Sequence, residues 1–510
     1  MCYNVNILLF YENGGDIMAT KSKKKSKIKR IYMNAFFNVI ALIAVIVMLV
    51  FCIYLFRLDM LPFKYLSILY LVIGFIYLIL LGLTLPRRIK YRIKTICLVL
   101  FVLFSLTFAF GIKYVDKTIE FMDVINNELS QKEEYHVSVL KNSIIESGSE
   151  LNNKKVGLYT MSDETKDKIM EIINKELSYE FVSYTDVILM FEDLSEKKID
   201  AVIVNSSLET LLETDLDYLN LELKNVYSLM VPISEESDIV KIVDVTNTPF
   251  NVYIAGGDAY GSINKVTNTD VNMIVSVDPV KRKILLTSIP RDYYVLLPSK
   301  GDDAYDKLTH AGYYGIGESV KAVEKLLDIE INYYAKVNFS TIEGIIDAIG
   351  GVDVYVEKGF TTSNGVYTFK KGINHMNGAK ALRFARERKV FSSGDVQRVK
   401  NQQKVFSAIL SKVTSSTALI TGYSDILDSV KKNFSTNLDT KSINRLVKMQ
   451  LNDMRGWSIE SQNLVGTGAS KKTFTFPKMN LYVMERNEES VTNASTKIKE
   501  FFEINMNAIH

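Results

Sequence analysis

This 510-residue sequence predicts a mixed α/β protein carried on three membrane-spanning helices. Three observations lead there. Three apolar stretches of about twenty residues lie in the first 112 positions, each long enough to span a bilayer. Beyond residue 134, short runs rich in β-branched and aromatic residues alternate with stretches of helical period. Near the end of the chain Arg386, Arg388, Arg398 and Gln402 crowd together, a grouping suited to a di-anionic phosphate. The expected class is therefore α-β-α: a central mixed sheet flanked by helices, preceded by a small α/β domain.

The apolar stretches cover 36–56, 65–85 and 95–112. Basic segments at 21–30 and 87–94 flank them, and the positive-inside rule places both in the cytoplasm. Everything after the third stretch is then expected outside, as a multi-pass protein of the cell membrane. Residues 1–112 carry 14 Lys and Arg against 3 Asp and Glu; the whole chain has 61 against 58, which leaves 47 against 55 for the remainder. The expected external part is thus acidic, which excludes a broad nucleic-acid surface. Cys2, Cys52 and Cys97 all fall in the N-terminal region, so the expected external part must fold without disulfides. Such a surface protein suits a bacterium with a single membrane. The run from Met18 reads as a plausible true start.

Residues 1–35 are expected as a cytoplasmic basic tail, 36–112 as the three spans and 113–134 as a stalk helix. Residues 135–247 follow as a small α/β domain, with strands at 135–140, 156–159, 181–184 and 201–204 and helices at 162–176 and 186–196. No phosphate loop, metal spacing or nucleophile pattern appears in it, so it reads as a structural or docking module. The larger domain, 248–510, opens with a strand at 251–255, followed by strands at 272–277 and 283–288, a helix at 319–327 and a strand at 333–337. A helix at 340–349 ends at Gly350-Gly351, which supply the left-handed ending helices prefer, before a strand at 352–356.

The polar motifs fall at strand ends and loops, where ligands sit in such folds. Asp258 stands between glycines after the first strand, and Asp270 just before the second. Ile289-Pro290-Arg291-Asp292 closes the third, and Lys307 to Gly312 adds a basic residue and His310. Arg386 and Arg388, two apart, would share one side of an extended segment. Arg398 and Gln402, four apart, would share a helix face. Asp292 is expected to orient Arg291. His310 is expected to be structural, since no second ligand stands at metal spacing. The pairs Tyr293-Tyr294, Tyr313-Tyr314 and Tyr333-Tyr334 fit sheet packing as well as a sugar site. Taken alone, Arg386 and Arg388 would more often be ion pairs with a neighbour such as Glu387.

Taken together and in this order, the motifs around Asp258, Arg291, His310, Gly350-Gly351 and Arg386 to Gln402 resemble the LytR-CpsA-Psr family of cell-wall proteins. The resemblance covers about 249–480, and the three-span arrangement looks like the capsule-linked branch. It implies a transferase that moves a glycopolymer, of capsule or teichoic-acid type, from a polyprenyl-pyrophosphate carrier to peptidoglycan through a phosphodiester. It implies a lipid tail in an apolar tunnel beneath the sheet, with Arg291, Arg386, Arg388, Arg398 and Gln402 on the pyrophosphate. Asp258 and Asp270 would hold magnesium (or manganese) or orient the acceptor hydroxyl, so that Asp258, Asp270, Arg291 and Arg388 carry the catalysis. Capsule or wall-assembly proteins are further expected partners, and nucleic acid is not. Where the family commonly has arginine, this chain has Asn268, and Tyr260 replaces another. Asn268 favours an alternative, a non-catalytic carrier-lipid binding protein that regulates capsule assembly. A third reading, a membrane-bound transcriptional regulator, is opposed by the expected topology.

Overall fold

The computed structural model describes residues 5–127, 132–159, 163–205, 208–209, 212, 216–232, 241–257, 269–392, 394–415, 426 and 434–503. The chain divides into two compact units, Met1–Glu120 and Phe121–His510.

The first unit is helical. Three segments, Ile28–Leu58, Phe63–Thr84 and Tyr91–Ile119, are long and apolar enough to cross a membrane. They pack through Ala41 and Ala44 against Tyr77, Cys97, Phe101 and Phe108, with Phe51 stacked on Phe108 at 4.9 Å. Small residues permit that approach, as in membrane bundles generally. The outward faces are apolar, with Phe63, Leu71 and Phe110 almost bare. Only a lipid solvent makes such a surface favourable. Both outer helices are longer than expected. The first runs unbroken over Val5–Leu58, and the third over Tyr91–Asn127, so the stalk is a continuation of the third span. The stalk cannot reach 134, because Glu133 and Glu134 already pair with Val231 and Met230 in a sheet.

In the second unit the chain first builds a five-stranded sheet from β1 (Lys132–Leu140), β2 (Lys155–Tyr159), β3 (Glu180–Tyr184), β4 (Ala201–Asn205) and β5 (Leu223–Pro232), in the order β3-β2-β4-β1-β5. Its helices are Asp163–Ile173 and Val187–Ser195. Asp186 caps the latter, accepting from the amides of Ile188 and Leu189 at 2.9 and 3.2 Å.

A six-stranded sheet follows. β6 (Phe250–Gly257), β7 (Thr269–Asp278) and β8 (Lys283–Ile289) form an antiparallel meander. The ribbon β9 (Tyr294–Leu296) and β10 (Tyr305–Lys307) leads to the helix Ile316–Leu327, which returns the chain as β11 (Tyr333–Asn338), parallel to β6. After the helix Phe339–Ala348, β12 (Val352–Val356), β13 (Phe360–Thr361), β14 (Thr368–Phe369) and β15 (Gly372–Met376) form two small ribbons beside the helices Gly378–Arg386 and Asp395–Ser415. β16 (Phe434–Thr436) and β17 (Ser458–Asn463) complete the sheet as β16-β11-β6-β7-β8-β17. β18 (Gly466–Lys472) and β19 (Asn480–Arg486) form a last hairpin before the helix Glu488–Glu503.

The period-two pattern sorts the meander into two layers. Tyr253, Ala255, Ile274 and Leu285 face the helices Ile316–Leu327 and Glu488–Glu503. Ile254, Met273, Val275 and Leu286 face the other layer, with Phe406, Leu446 and Trp457. The predicted α-β-α sandwich is thus present.

Ile274 is fully buried at the centre of the first layer. Ile274→Ala is expected to cost about 2–5 kcal/mol of stability, read as a lowered midpoint in urea unfolding followed by the fluorescence of Trp457.

Candidate functional site

Register places the first pair. Asn272 on β7 lies opposite Ile289 on β8, so Asp270, two residues before, and Arg291, two residues after, meet at the same end of adjacent strands. The Arg291 Nη1 donates to Asp270 Oδ1 at 2.5 Å. Asp292 lies 3.6 Å from Arg291 Nε and 3.9 Å from Lys307 Nζ. Asp270 sits within β7 rather than before it.

The second group comes from a helix end. Gly378–Arg386 starts at the Asn377 cap, whose side chain accepts from the Lys380 amide at 3.0 Å, and it finishes on Arg386. Arg386 and Arg388 therefore straddle a helix terminus instead of sharing an extended segment, yet both face the same cleft. The residue between them makes this possible. Glu387 is 1% exposed. One carboxylate oxygen accepts from the amides of Arg388 and Lys389 at 3.1 and 3.0 Å. The other accepts from the Ser363 amide at 2.8 Å, the Ser363 hydroxyl at 3.2 Å and Arg383 Nη2 at 3.3 Å. Its ion pair is with Arg383, not with Arg386 or Arg388. Burial pushes the Glu387 carboxyl up, but the Ser363 and Lys389 donors and the Arg383 charge outweigh it and hold the group below its usual range.

The third group is helical, as expected. Arg398 and Gln402 lie on one face of Asp395–Ser415, which is pinned by Asn401 Nδ2 to the Phe384 carbonyl at 3.1 Å and by Gln403 Nε2 to the Gln462 carbonyl at 2.7 Å.

Together Asp270, Arg291, Arg386, Arg388, Arg398 and Gln402 bound a cleft of about 400 Å³, with Arg383 and Lys389 on its wall. Six cationic side chains face two carboxylates there, on a body that is acidic as a whole. Guanidinium groups converging in this way are built for a polyanionic phosphate. Against the cleft lies a narrow apolar slot of about 60 Å³, walled by Ile254, Met273, Val337, Leu382, Val405 and Phe406. Arg386 and Gln402 border both spaces. Gly256 permits the slot's strand pair to close, since a Cβ there would stand 2.7 Å from that of Val271.

Asp258, Tyr260 and Asn268 lie outside the described residues. Among the described residues no three His, Cys, Asp or Glu side chains gather as metal ligands. Asp270 offers one hard oxygen donor at the phosphate cleft, and that fits a cation held by one or two carboxylates plus substrate phosphates. His310 is buried, its Nδ1 2.6 Å from Asp306 Oδ1, and it stacks on Tyr313 at 5.1 Å; it is structural, as expected. Tyr293, Tyr313, Tyr333 and Tyr334 are core residues. Sequence reading missed Ser363, Arg383, Glu387 and Lys389 as site members. Only the i, i+4 spacing of Arg383 and Glu387 was available as a signal.

Residues 218–500 match the LytR_cpsA_psr family, and the chain belongs to it. The chain is 38% identical over 191 residues to a polyisoprenyl-teichoic acid–peptidoglycan teichoic acid transferase, TagU, of Bacillus cereus; the match covers 37% of this chain and 61% of that protein. It is 34% identical over 212 residues to the corresponding Bacillus subtilis transferase TagT, covering 40% and 64%. The chain therefore spans a little under two thirds of the length of these curated relatives. Crystal structures of Bacillus subtilis TagU and of TagT bound to LI-WTA align with TM-scores of 0.39 and 0.41. They are 28% and 27% identical, and cover 50% and 52% of this chain and 98% and 94% of theirs.

Glu387→Gln keeps the shape but removes the charge that Arg383 and four donors share. It is expected to lower stability at pH 7 by about 1–3 kcal/mol. A carboxyl held below its usual range stabilises the fold above its unfolded pKa, and that contribution is lost as pH falls through the folded value. Thermal melts between pH 7 and pH 3 should therefore converge for wild type and Glu387→Gln at the acidic end.

Proposed function

We propose that the chain is an extracytoplasmic phosphotransferase that moves a glycopolymer from a polyprenyl-pyrophosphate carrier to peptidoglycan. One observation carries this: an apolar slot and a guanidinium-rich cleft share the edge residues Arg386 and Gln402. An isoprenoid tail joined to a pyrophosphate is a molecule with that division of polarity. The curated relatives, named for transfer of teichoic acid to peptidoglycan, support the reading.

In the reaction an acceptor hydroxyl attacks the phosphorus attached to the glycopolymer. The new O–P bond forms as the bridging P–O bond breaks, and polyprenyl monophosphate leaves. Phosphoryl transfer depends on positioning and on neutralising charge at the phosphate oxygens. Arg291, Arg386, Arg388 and Arg398 supply that neutralisation, and Gln402 donates from its amide. One of the two carboxylates, Asp258 or Asp270, orients the acceptor hydroxyl and helps take its proton. A magnesium or manganese ion at these carboxylates would add positive charge at the phosphates. The basic segments 21–30 and 87–94 support a cytoplasmic N-terminus and an external catalytic part. Capsule or wall-assembly proteins are the partners proposed for the smaller sheet. Asn268, in place of an arginine, supports the second reading, a carrier-lipid binding protein without transfer.

Arg388→Ala should reduce transfer by about 10²–10³-fold without loss of fold. The assay follows, by mass spectrometry, a phosphodiester between a lipid-linked oligosaccharide and soluble peptidoglycan. Lipid binding by wild type with no product would select the second reading. Protease shaving of intact cells should remove residues beyond 127 and spare the N-terminal tail; a protected C-terminal part would overturn the orientation.

A further inference from the structure

A second cleft, of about 420 Å³, lies behind the wall of the first. The segment 388–392 separates them: Arg388 and Lys389 line the phosphate cleft, whereas Val390, Phe391 and Ser392 line this one. Its lining is aromatic where the first is cationic. The Phe360 and Phe391 rings meet edge to face at 4.7 Å, and Phe360 lies 5.9 Å from Phe384. Its rim is polar. Gln397 donates to Asn401 Oδ1 at 3.0 Å, and Lys404 Nζ lies 3.0 Å from Glu357 Oε1. No arginine is among the described lining residues.

One helix serves all three spaces. On Asp395–Ser415, Gln397, Asn401 and Lys404 recur at i, i+4 and i+7 and face the second cleft. Arg398 and Gln402, each one residue further and so about 100° around the helix, face the phosphate cleft. Val405, Phe406 and Ile409 face the apolar slot. The apolar slot and the phosphate cleft lie along one face of the helix at successive turns, and the second cleft lies about 100° around from that face. A lipid-pyrophosphate-sugar offers the same three chemistries.

The geometry points to the second cleft as a glycan subsite, an inference that rests on the phosphotransferase reading. Aromatic faces pack against the C–H faces of pyranose rings, while the Gln397 amide and the Lys404–Glu357 pair exchange hydrogen bonds with hydroxyl and acetamido groups. A bare phosphate would select the arginines next door, and an isoprenoid the apolar slot. The glycan is either the first sugars of the donor or the acceptor strand beside the reacting phosphate.

The test uses the full chain in detergent and three probes. These are geranylgeranyl pyrophosphate, the same lipid pyrophosphate carrying N-acetylglucosamine, and a peptidoglycan tetrasaccharide. Phe391→Ala and the milder Gln397→Ala should bind the sugarless lipid as wild type does, which also certifies the fold. Each should lose about tenfold in affinity for a sugar-bearing probe: loss on the lipid-linked sugar assigns the donor, and loss on the tetrasaccharide assigns the acceptor. Unchanged binding of both sugar probes in both variants overturns the subsite and leaves the transferase reading standing. Wild type that binds neither lipid probe overturns the transferase reading itself, and the subsite with it.

Discussion

The buried carboxylate of Glu387 is the constraint on which the site depends. It stands at the end of a helix, where the chain must stop coiling and turn without leaving backbone donors stranded. By accepting from two amides ahead of it and from Ser363 and Arg383 beside it, it fixes the strip of chain that divides the two clefts. It also brings negative charge to a place where guanidinium groups would otherwise repel one another. Arg386 and Arg388 can then converge although they leave the helix in different ways.

The sheet supplies the rest of the frame. Its antiparallel meander puts Asp270 and Arg291 opposite each other simply by register, and β11 brings Val337 and Asn338 alongside the same strand ends. The helix Asp395–Ser415 packs across this edge, held to the sheet through Gln403 and to the neighbouring helix through Asn401. Rigid elements therefore carry Asp270, Arg398 and Gln402, whereas Arg388 and Lys389 depend on the chain strip that Glu387 secures.

Much of this was legible in the sequence where period and burial agree. The strands of the meander are near-continuous apolar runs buried on both faces, and Arg398 and Gln402 declared their shared face by spacing alone. Arg386 and Arg388 were found for their chemistry but given the wrong backbone, because a spacing of two suits an extended segment and also bridges a helix end. Glu387 escaped because a carboxylate four residues after an arginine reads as an exposed pair; its burial is a tertiary fact. β17 and β18 carried no signal, since Ser, Glu, Gln, Gly and Lys in half-exposed strands leave no apolar alternation to detect. The stalk helix was read too far, to 134, because the helical spacing of its apolar residues does not show where β1 takes over the chain.

The shared edge at Arg386 and Gln402 bears on turnover. Under the proposed reaction the donor and the spent carrier have the same isoprenoid tail, so the slot cannot distinguish them. They differ in that the donor brings two phosphates to the guanidinium cleft and the spent carrier only one. Occupancy therefore favours the loaded carrier, and the discharged one is held by fewer charge-assisted bonds once the polymer has gone. Release of the exhausted lipid is thus a matter of phosphate count, decided at the mouth of the slot and not along its length.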